Sequence, residues 1–304
     1  MADVSVRQPS DRRDVESPEF SIVTPTFQAA AHIEQCIRSG QDQGIAVQHV
    51  VQDAHSTDAT ASIARALGAD IDVRRDDGMY DALNIGLARS SGRYLTHLNA
   101  DEQLLPGALE TARRVLEAAD ERTVVSGDVV LVDLDLEPIA YRRATPMRRW
   151  RARLMPVNSV LTAGTFYPRS LLEDGLLQFD ASYRVAGDKE LFCRLVERGI
   201  RWKTIPAALA VFVLTGENLS LSRAARSEGE FARGRSQRAI SLGRIAYWAE
   251  KAARGGYRRR DVALSLYDKG CASRRTIEAH NLDWRWRWGV EARPGSADPV
   301  QETG

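Results

Sequence analysis

The sequence has 304 residues, enough for one large domain or for a domain with an appendage, and its formal net charge is +1. A net charge this close to zero gives no reason to expect nucleic acid as a partner. The three cysteines, Cys36, Cys193 and Cys271, are far apart and form no CxxC pair, which argues against a disulfide framework or zinc site and fits a reducing cytosol.

The N-terminal residues are polar and lack the apolar core of a signal peptide, so residues 1–18 are predicted to be a disordered tail. The longest apolar run, 207–214, is far shorter than the roughly 20 residues that cross a bilayer. We therefore expect a soluble cytoplasmic protein, with any membrane contact being peripheral and on the inner face of the cell membrane.

From residue 20 onwards, short apolar runs alternate with segments of helical periodicity. Such strand–helix repeats predict an α/β fold, with a Rossmann-like, mostly parallel central sheet and flanking helices. The predicted strands are 20–23, 47–51, 71–73 and 94–98, and the predicted helices are 32–39, 56–66, 79–88 and one after Pro106.

The second half of the chain is less regular. Its apolar runs predict strands at 124–132, 139–142 and 162–167, and a helix at 187–199. Beyond Ser220 the chain is rich in arginine and tryptophan, and we predict a helical C-terminal region at 223–304, after an α/β domain at 19–222. That region is either a solvated helical face or a basic surface that contacts anionic lipid.

Polar clusters follow four of the predicted strands: 24–26, Asp53, 76–78 and 99–102. Strands of an open α/β sheet place ligands beyond their carboxyl ends, and carboxylates gathered there repel each other unless a cation or a donor-rich ligand holds them. A nucleoside diphosphate with Mg²⁺ or Mn²⁺ meets that requirement. The chain has no GxxxxGK[ST] loop and no GxGxxG after its first strand, so the metal would neutralise the diphosphate.

Five segments, in order and spacing, resemble the family 2 glycosyltransferases, which have the GT-A fold. They are 20–27, 51–60, 76–86, 99–102 and 186–191. The resemblance covers roughly residues 19–222 and implies an inverting transfer of a sugar from a UDP-, GDP- or dTDP-linked donor. The implied acceptor is a hydroxyl of a glycan or lipid-linked molecule made at the cytosolic face of a bacterial envelope, as in exopolysaccharide biosynthesis.

By motif position, the resemblance also implies roles for individual residues. Asp188 matches the catalytic base, and Asp101 with Glu102 matches the metal-binding DxD segment. Asp53 and Asp76 would hydrogen-bond the base or ribose of the donor. The remaining donor-binding positions are Thr24, Pro25, Thr26, Asn84, Asn99 and Ala100.

Physical chemistry supports the assignment of Asp188, because inversion needs a carboxylate that takes the acceptor proton on the face opposite the leaving group. The sequence departs from the family pattern where Asn99 replaces the usual first aspartate of DxD. Asn99 supports one alternative, a nucleotide-sugar-binding protein that has lost catalysis, although Asp101, Glu102 and Asp188 argue against it. A second alternative is a nucleotidyltransferase, which would need a glycine- and lysine/arginine-rich loop that residues 24–31 do not offer.

Each carboxylate also has a purely structural interpretation. Asp53, Asp58 and Asp188 could cap the helices that follow them. The segment 76–78 could be an ordinary turn, and Asp101 with Glu102 could be solvated charges before a helix.

Overall fold

The computed structural model describes residues 17–154, 159–214 and 237–284. Their main feature is a sheet of nine strands in the order β3-β2-β1-β4-β8-β6-β9-β5, with β7 paired to β6. The strands are β1 Phe20–Thr26, β2 Val47–Asp53, β3 Asp70–Val73, β4 Tyr94–His97, β5 Gln103–Leu104, β6 Thr123–Val132, β7 Pro138–Arg142, β8 Thr165–Pro168 and β9 Arg201–Val213.

Helices flank this sheet. They are α1 Ile33–Gln41, α2 Thr60–Ala66, α3 Met79–Arg89, α4 Ala108–Glu117, α5 Arg149–Leu154, α6 Ser170–Glu173, α7 Gly187–Glu197 and α8 Gln237–Ala253. The predicted strand at 162–167 starts later than expected, since Thr162–Gly164 is a 3-10 turn that leads into β8. The predicted tail at 1–18 lies outside the described residues except for its last two.

The first half of the sheet is parallel, as predicted. β1 pairs in parallel with both β2 and β4, and β2 pairs in parallel with β3. Antiparallel partners enter through β8, which lies between β4 and β6, and through β5 and β7. The carboxyl ends of β1 to β4 therefore lie at one edge of the sheet, where the polar clusters were predicted.

Helix α3 packs closely on the sheet because Gly86 has no side chain. A Cβ atom at Gly86 would lie 2.4 Å from Cγ1 of Val23 on β1. The helix thereby brings Leu83 and Leu87 into the same apolar cluster as Val23 and Val50. This close contact holds α3, which follows the polar segment 76–78, against β1.

The prediction of an all-helical C-terminal region is wrong for residues 260–282. They form a β-hairpin, with β10 Arg260–Tyr267 antiparallel to β11 Arg274–Leu282. Val262, Leu264 and Leu266 alternate with more polar residues, which is the two-residue period of a strand with one buried face.

The hairpin packs on the main sheet and not away from it. Its buried side chains share an apolar cluster with Val130 of β6 and Val211 of β9. The buried Gln103 amide also accepts a hydrogen bond from the backbone N–H of Tyr267 (2.9 Å) and donates one to the carbonyl of Tyr267 (3.0 Å). Among the described residues, no helix is both long and apolar enough to cross a membrane.

Candidate active site

The candidate site lies at the edge where β1 to β4 end. Thr26, the last residue of β1, is paired with Asp53, the last residue of β2, and Asp53 is paired with Val73 at the end of β3. Backbone hydrogen bonds continue beyond the strands, from Ala54 N–H to the Thr26 carbonyl and from Arg74 N–H to the Asp53 carbonyl, both 3.0 Å. The backbone thus holds these strand ends in register.

The loop after β1 is fixed by the segment before α2. The Ala30 N–H donates to the Asp58 carboxylate (3.0 Å), and the Ala29 N–H donates to the Thr60 hydroxyl (2.8 Å). Asp58 also accepts from the Thr60 N–H (3.0 Å) at the start of α2. Its helix-capping interpretation therefore describes its contacts well.

Asp53 is fully buried, and its carboxylate accepts hydrogen bonds from the backbone N–H and the hydroxyl of Ser56, at 2.9 and 2.5 Å. It closes the 53–56 turn and does not cap α2, which is preceded by Ala59. The carboxylate is thereby fixed in one orientation at the site edge.

Asp76 is half-buried and uses only one of its oxygens. Oδ1 accepts from the Gly78 N–H (3.0 Å), as in an ordinary turn, whereas Oδ2 is buried without a hydrogen-bond partner. Burial raises the pKa of this carboxyl, and the nearby charges of Asp81, Asp77 and Asp53 raise it further. Asp53 and Asp76 therefore lie close enough to interact.

Three neighbouring strand ends carry buried polar atoms that lack partners. They are the Thr26 hydroxyl on β1, both ends of the Gln52 amide on β2, and Asp76 Oδ2 beyond β3. Leaving such groups unpaired costs roughly 1–3 kcal/mol each, and buried polar atoms without partners are uncommon in folded proteins. This edge therefore suits a ligand rich in hydrogen-bond donors and acceptors.

Two of the predicted donor-binding side chains have structural partners instead. The Thr24 hydroxyl is fully buried and hydrogen-bonds His49 Nε2 at 2.9 Å, so it supports the interior of the sheet. The Asn84 amide donates to the Phe179 carbonyl and accepts from the Phe179 N–H, both at 2.8 Å. Pro25 is half-buried in β1 between Thr24 and Thr26.

The segment after β4 contains the predicted metal ligands. Glu102 is buried, and its two oxygens accept hydrogen bonds from the Asn99 backbone N–H (2.9 Å) and the Asn99 amide (3.0 Å). Glu102 therefore closes the turn at residues 99–102. Ala100, in that turn, packs against the apolar cluster around Ile33.

Asp101 is half-buried and makes no ion pair with any residue in the described ranges. Burial raises the pKa of both Asp101 and Glu102, and the charge of Asp101 raises that of Glu102 further. His32, at the start of α1, interacts electrostatically with Asp101. In the described part of the chain, no three His, Cys, Asp or Glu side chains are close enough to hold a metal together.

Asp188 is the second residue of α7, so it does not occupy the capping position of this helix, which is Ala186. The hydroxyl of the buried Tyr80 donates to the Val185 carbonyl at 2.8 Å and lies 3.4 Å from Asp188 Oδ1. Gly187 permits this approach, since a Cβ there would lie 2.7 Å from the Tyr80 ring.

Tyr80 is held from its other side as well. Its ring stacks on Phe179 with centroids 5.5 Å apart, and Phe179 is the residue that Asn84 clamps. Tyr167 has a buried hydroxyl without a partner, and burial followed by the charge of Asp188 raises its pKa. The sequence did not identify three of these site residues, which are Tyr80, Tyr167 and Gln52. Of the three, Tyr80 could have been found, because it closely follows the polar segment 76–78.

His97, the last residue of β4, is buried edge-on against Phe179. Burial lowers its pKa from 6.5 to about 4. The native state therefore keeps His97 neutral over a range in which the unfolded chain takes up a proton, so this residue makes the protein less stable as the pH falls from 6.5 towards 4.

When the pH is lowered from 7 to 5, the free energy of unfolding of the wild type should fall by about 2 kcal/mol more than that of His97→Phe. Urea denaturation at both pH values measures this shift. His55→Asn, an exposed position with a positive φ that asparagine tolerates, is the control and should show no such shift. A pH-independent difference for His97→Phe would contradict the prediction.

Two solved glycosyltransferases share this fold. TarS from S. aureus in complex with UDP-GlcNAc superposes with a TM-score of 0.51 at 17% identity, over 67% of this chain and 61% of the TarS chain. The mannosyltransferase PcManGT from Pyrobaculum calidifontis, in complex with GDP-Man and Mn2+, gives a TM-score of 0.54 at 19% identity, over 80% of this chain and 76% of that one. The architecture is that of the GT-A glycosyltransferases.

Sequence comparison identifies the family. The profile of glycosyl transferase family 2 matches residues 21–176, just over half of the chain, and the chain belongs to this family. A PGL/p-HBAD biosynthesis glycosyltransferase from Mycobacterium tuberculosis is 31% identical over 186 residues, which are 57% of this chain and 67% of the relative. A GalNAc(5)-diNAcBac-PP-undecaprenol beta-1,3-glucosyltransferase from Campylobacter jejuni is 33% identical over 102 residues, 31% of this chain and 33% of the relative. The protein is therefore a glycosyltransferase.

Proposed function

We propose that this enzyme transfers a sugar, with inversion, from a nucleoside diphosphate sugar to a hydroxyl of a glycan or lipid-linked acceptor in cell-envelope or exopolysaccharide biosynthesis. The observation that carries the proposal is the set of unpaired buried polar atoms on Thr26, Gln52 and Asp76 beside the fixed carboxylate of Asp53. A nucleoside offers donors and acceptors for these groups. The undecaprenol-linked substrate in the name of the Campylobacter jejuni relative supports the acceptor class.

In the proposed reaction, the acceptor hydroxyl oxygen attacks the anomeric carbon of the donor sugar while the bond from that carbon to the diphosphate oxygen breaks. The hydroxyl proton passes to the Asp188 carboxylate, and the nucleoside diphosphate leaves with the bonding electron pair. The Tyr80 hydroxyl, which donates to the Val185 carbonyl at 2.8 Å, also lies 3.4 Å from Asp188 Oδ1, so its proton would be shared between the two acceptors and would help to orient the carboxylate. Attack from the side opposite the leaving group inverts the anomeric centre.

The residues present fit a divalent metal ion held mainly by Asp101. Burial raises the pKa of the half-buried Asp101 carboxyl, and this side chain has no cationic ion-pair partner in the described part of the chain. Since Glu102 is engaged by Asn99, diphosphate oxygens and water would supply the other ligands. Bound there, Mg²⁺ or Mn²⁺ would stabilise the negative charge that develops on the leaving diphosphate.

The test is a panel of UDP-, GDP- and dTDP-sugars, each incubated with Mn²⁺ or with EDTA and analysed for released nucleotide. We expect slow hydrolysis of donors from one nucleotide class in Mn²⁺ and its suppression in EDTA. Tight nucleotide-sugar binding without turnover, measured by calorimetry, would instead favour a binding protein that has lost catalysis. Failure to bind any nucleotide sugar would overturn the proposal.

A further inference from the structure

The exposed side of helix α8 is apolar. Within the part of α8 whose side chains the structure describes, every exposed residue is apolar: Leu242, Ile245, Ala246, Trp248, Ala249, Ala252 and Ala253. Their spacing places them along one side of the helix, whereas Gly243, Tyr247 and Lys251 are buried on the other side. We call these seven exposed residues the apolar face of α8.

This face is more exposed than chance scatter of hydrophobic residues explains. Leu242 and Ile245 are 65% and 66% exposed, the highest values among the large hydrophobic side chains of the described residues. A helix side that meets only water is normally polar, as in α4, whose exposed residues are Arg114 and Glu117. A continuous apolar surface instead indicates contact with a partner or a membrane.

The chain around the apolar face is strongly basic. Residues 142–154, which include α5, contain six arginines and no acidic residue. Residues 237–260, which include α8, contain six arginines, one lysine and a single acidic residue, Glu250, in a chain whose net charge is +1. Glu250 is already paired with Arg148 at 2.9 Å and with Arg254 at 3.5 Å. These two segments therefore carry a large excess of positive charge.

Two exposed arginines lie next to the apolar face. The Trp248 ring stacks on Tyr257 with centroids 6.0 Å apart, and Arg258 and Arg259 directly follow Tyr257 in the chain. Neither guanidinium group makes a hydrogen bond or an ion pair with another residue in the described ranges. Both are therefore available to an anionic partner at the end of the face where Trp248 lies.

Helix α5 shows the same combination of side chains. It packs against α8, and the ion pair between Arg148 and Glu250 joins the two segments. On α5, Trp150 is 38% exposed, and Arg149 and Arg153 are exposed as well. Exposed tryptophan together with arginine is typical of helices that lie at the interface between a membrane and water.

We propose that α8 and the arginines that follow it bind to an anionic lipid surface. The apolar face would lie among the lipid headgroups, and Arg258 and Arg259 would pair with lipid phosphates. Two other partners fit less well. A nucleic acid would pair with the arginines but leave the apolar face in water. A second copy of the chain would cover the apolar face but bring two arginine-rich surfaces together.

The proposed lipid-binding surface is connected to the helix of the proposed base. Ala152 of α5 shares an apolar cluster with Leu191 and Leu195 of α7, the helix that carries Asp188. Since α5 also packs against α8, it links the two longer helices. For a lipid-linked acceptor, which belongs to the proposed function, membrane binding would keep the base and the acceptor near the same bilayer. The binding itself does not depend on that function.

The experiment measures binding of the full chain to vesicles of phosphatidylglycerol and phosphatidylcholine, by co-sedimentation and by the blue shift of tryptophan emission. The variant Leu242→Ser/Ile245→Ser should bind about tenfold more weakly than the wild type or worse. Leu134→Ser is the matched control, since Leu134 is also 47% exposed but precedes β7, whereas α5 follows that strand. No binding by the wild type, or equal binding by the Leu242→Ser/Ile245→Ser variant, would overturn the proposal.

A second arm tests the anionic component. Arg258→Gln/Arg259→Gln should also bind about tenfold more weakly or worse, and added salt should weaken binding by the wild type. Arg65→Gln/Arg114→Gln is the control, because it removes two exposed arginines from α2 and α4, which pack on the opposite face of the sheet from α5. Equal wild-type binding to vesicles of phosphatidylcholine alone would contradict an anionic surface.

Two further outcomes would assign the surface to a different partner. Sedimentation without lipid should show no dimer that the Leu242→Ser/Ile245→Ser variant dissociates, because such a dimer would mean that a second copy covers the face. Binding to a DNA duplex but not to vesicles would likewise overturn the proposal. None of these measurements uses a nucleotide sugar or a metal ion, so their outcome is independent of the donor-hydrolysis panel that tests the proposed function.

Discussion

Replacing Asp188 by asparagine is expected to lower acceptor-dependent sugar transfer by about 10²- to 10⁴-fold, the range that a positioned general base contributes. The amide has nearly the same shape but cannot take up the acceptor proton at neutral pH. Donor binding should persist, because the unpaired polar groups on Thr26, Gln52 and Asp76 lie at the strand ends and not on α7.

Two quantities are measured: the rate of product formation in the presence of an acceptor, and the affinity for the donor from calorimetric titration. Glu190→Gln is the matched control, since Glu190 also lies in the first turn of α7 but pairs with Arg194. The control removes one negative charge from the same helix end and should change transfer only slightly. Unchanged transfer by Asp188→Asn would refute the assignment of the base.

Tyr80→Phe gives a graded version of the same test. It removes only the hydroxyl that lies 3.4 Å from Asp188 Oδ1 and retains the ring that stacks on Phe179. We therefore expect a smaller loss of transfer than for Asp188→Asn. A double variant should be no worse than Asp188→Asn alone, because groups that act as a unit are not additive.

The sequence predicted the parallel half of the sheet well because local pattern and long-range packing agree there. The apolar run that became β1 is buried on both faces, and α1 presents Ile33, Cys36 and Ile37 to the core with helical spacing. The hairpin at 260–282 was missed because its strands have only one buried face in an arginine-rich segment. Its burial depends on β6 and β9, which are distant in sequence.

The candidate site also depends on contacts that the sequence does not reveal. The sequence placed Asp53, Asp76 and Asp101 at one sheet edge, but it could not show which carboxylate oxygens are already engaged. Glu102 accepts both of its hydrogen bonds from Asn99, three residues away, and Asn84 binds the backbone of Phe179, which is 95 residues away. Such pairings depend on side-chain orientation and tertiary contacts, which spacing alone does not encode.

Asp101 and Glu102 differ in their hydrogen bonds, and this difference leads to a second prediction with a large expected effect. Asp101→Asn should weaken Mn²⁺-dependent donor binding by about 100-fold or more, since replacing even an outer partner of a metal site costs up to about that factor. Glu102→Gln should cost only a few-fold, because Glu102 closes the turn onto Asn99 and burial already favours its neutral form.

Calorimetric titration of the donor with Mn²⁺ and with EDTA measures both variants on one scale. For Asp101→Asn, the affinities in Mn²⁺ and EDTA should converge, whereas Glu102→Gln should keep the gap between them. An equal loss in the two variants would mean that Glu102 leaves Asn99 and ligates the metal when the donor binds. The pair of substitutions therefore decides whether one carboxylate or two hold the metal at this edge.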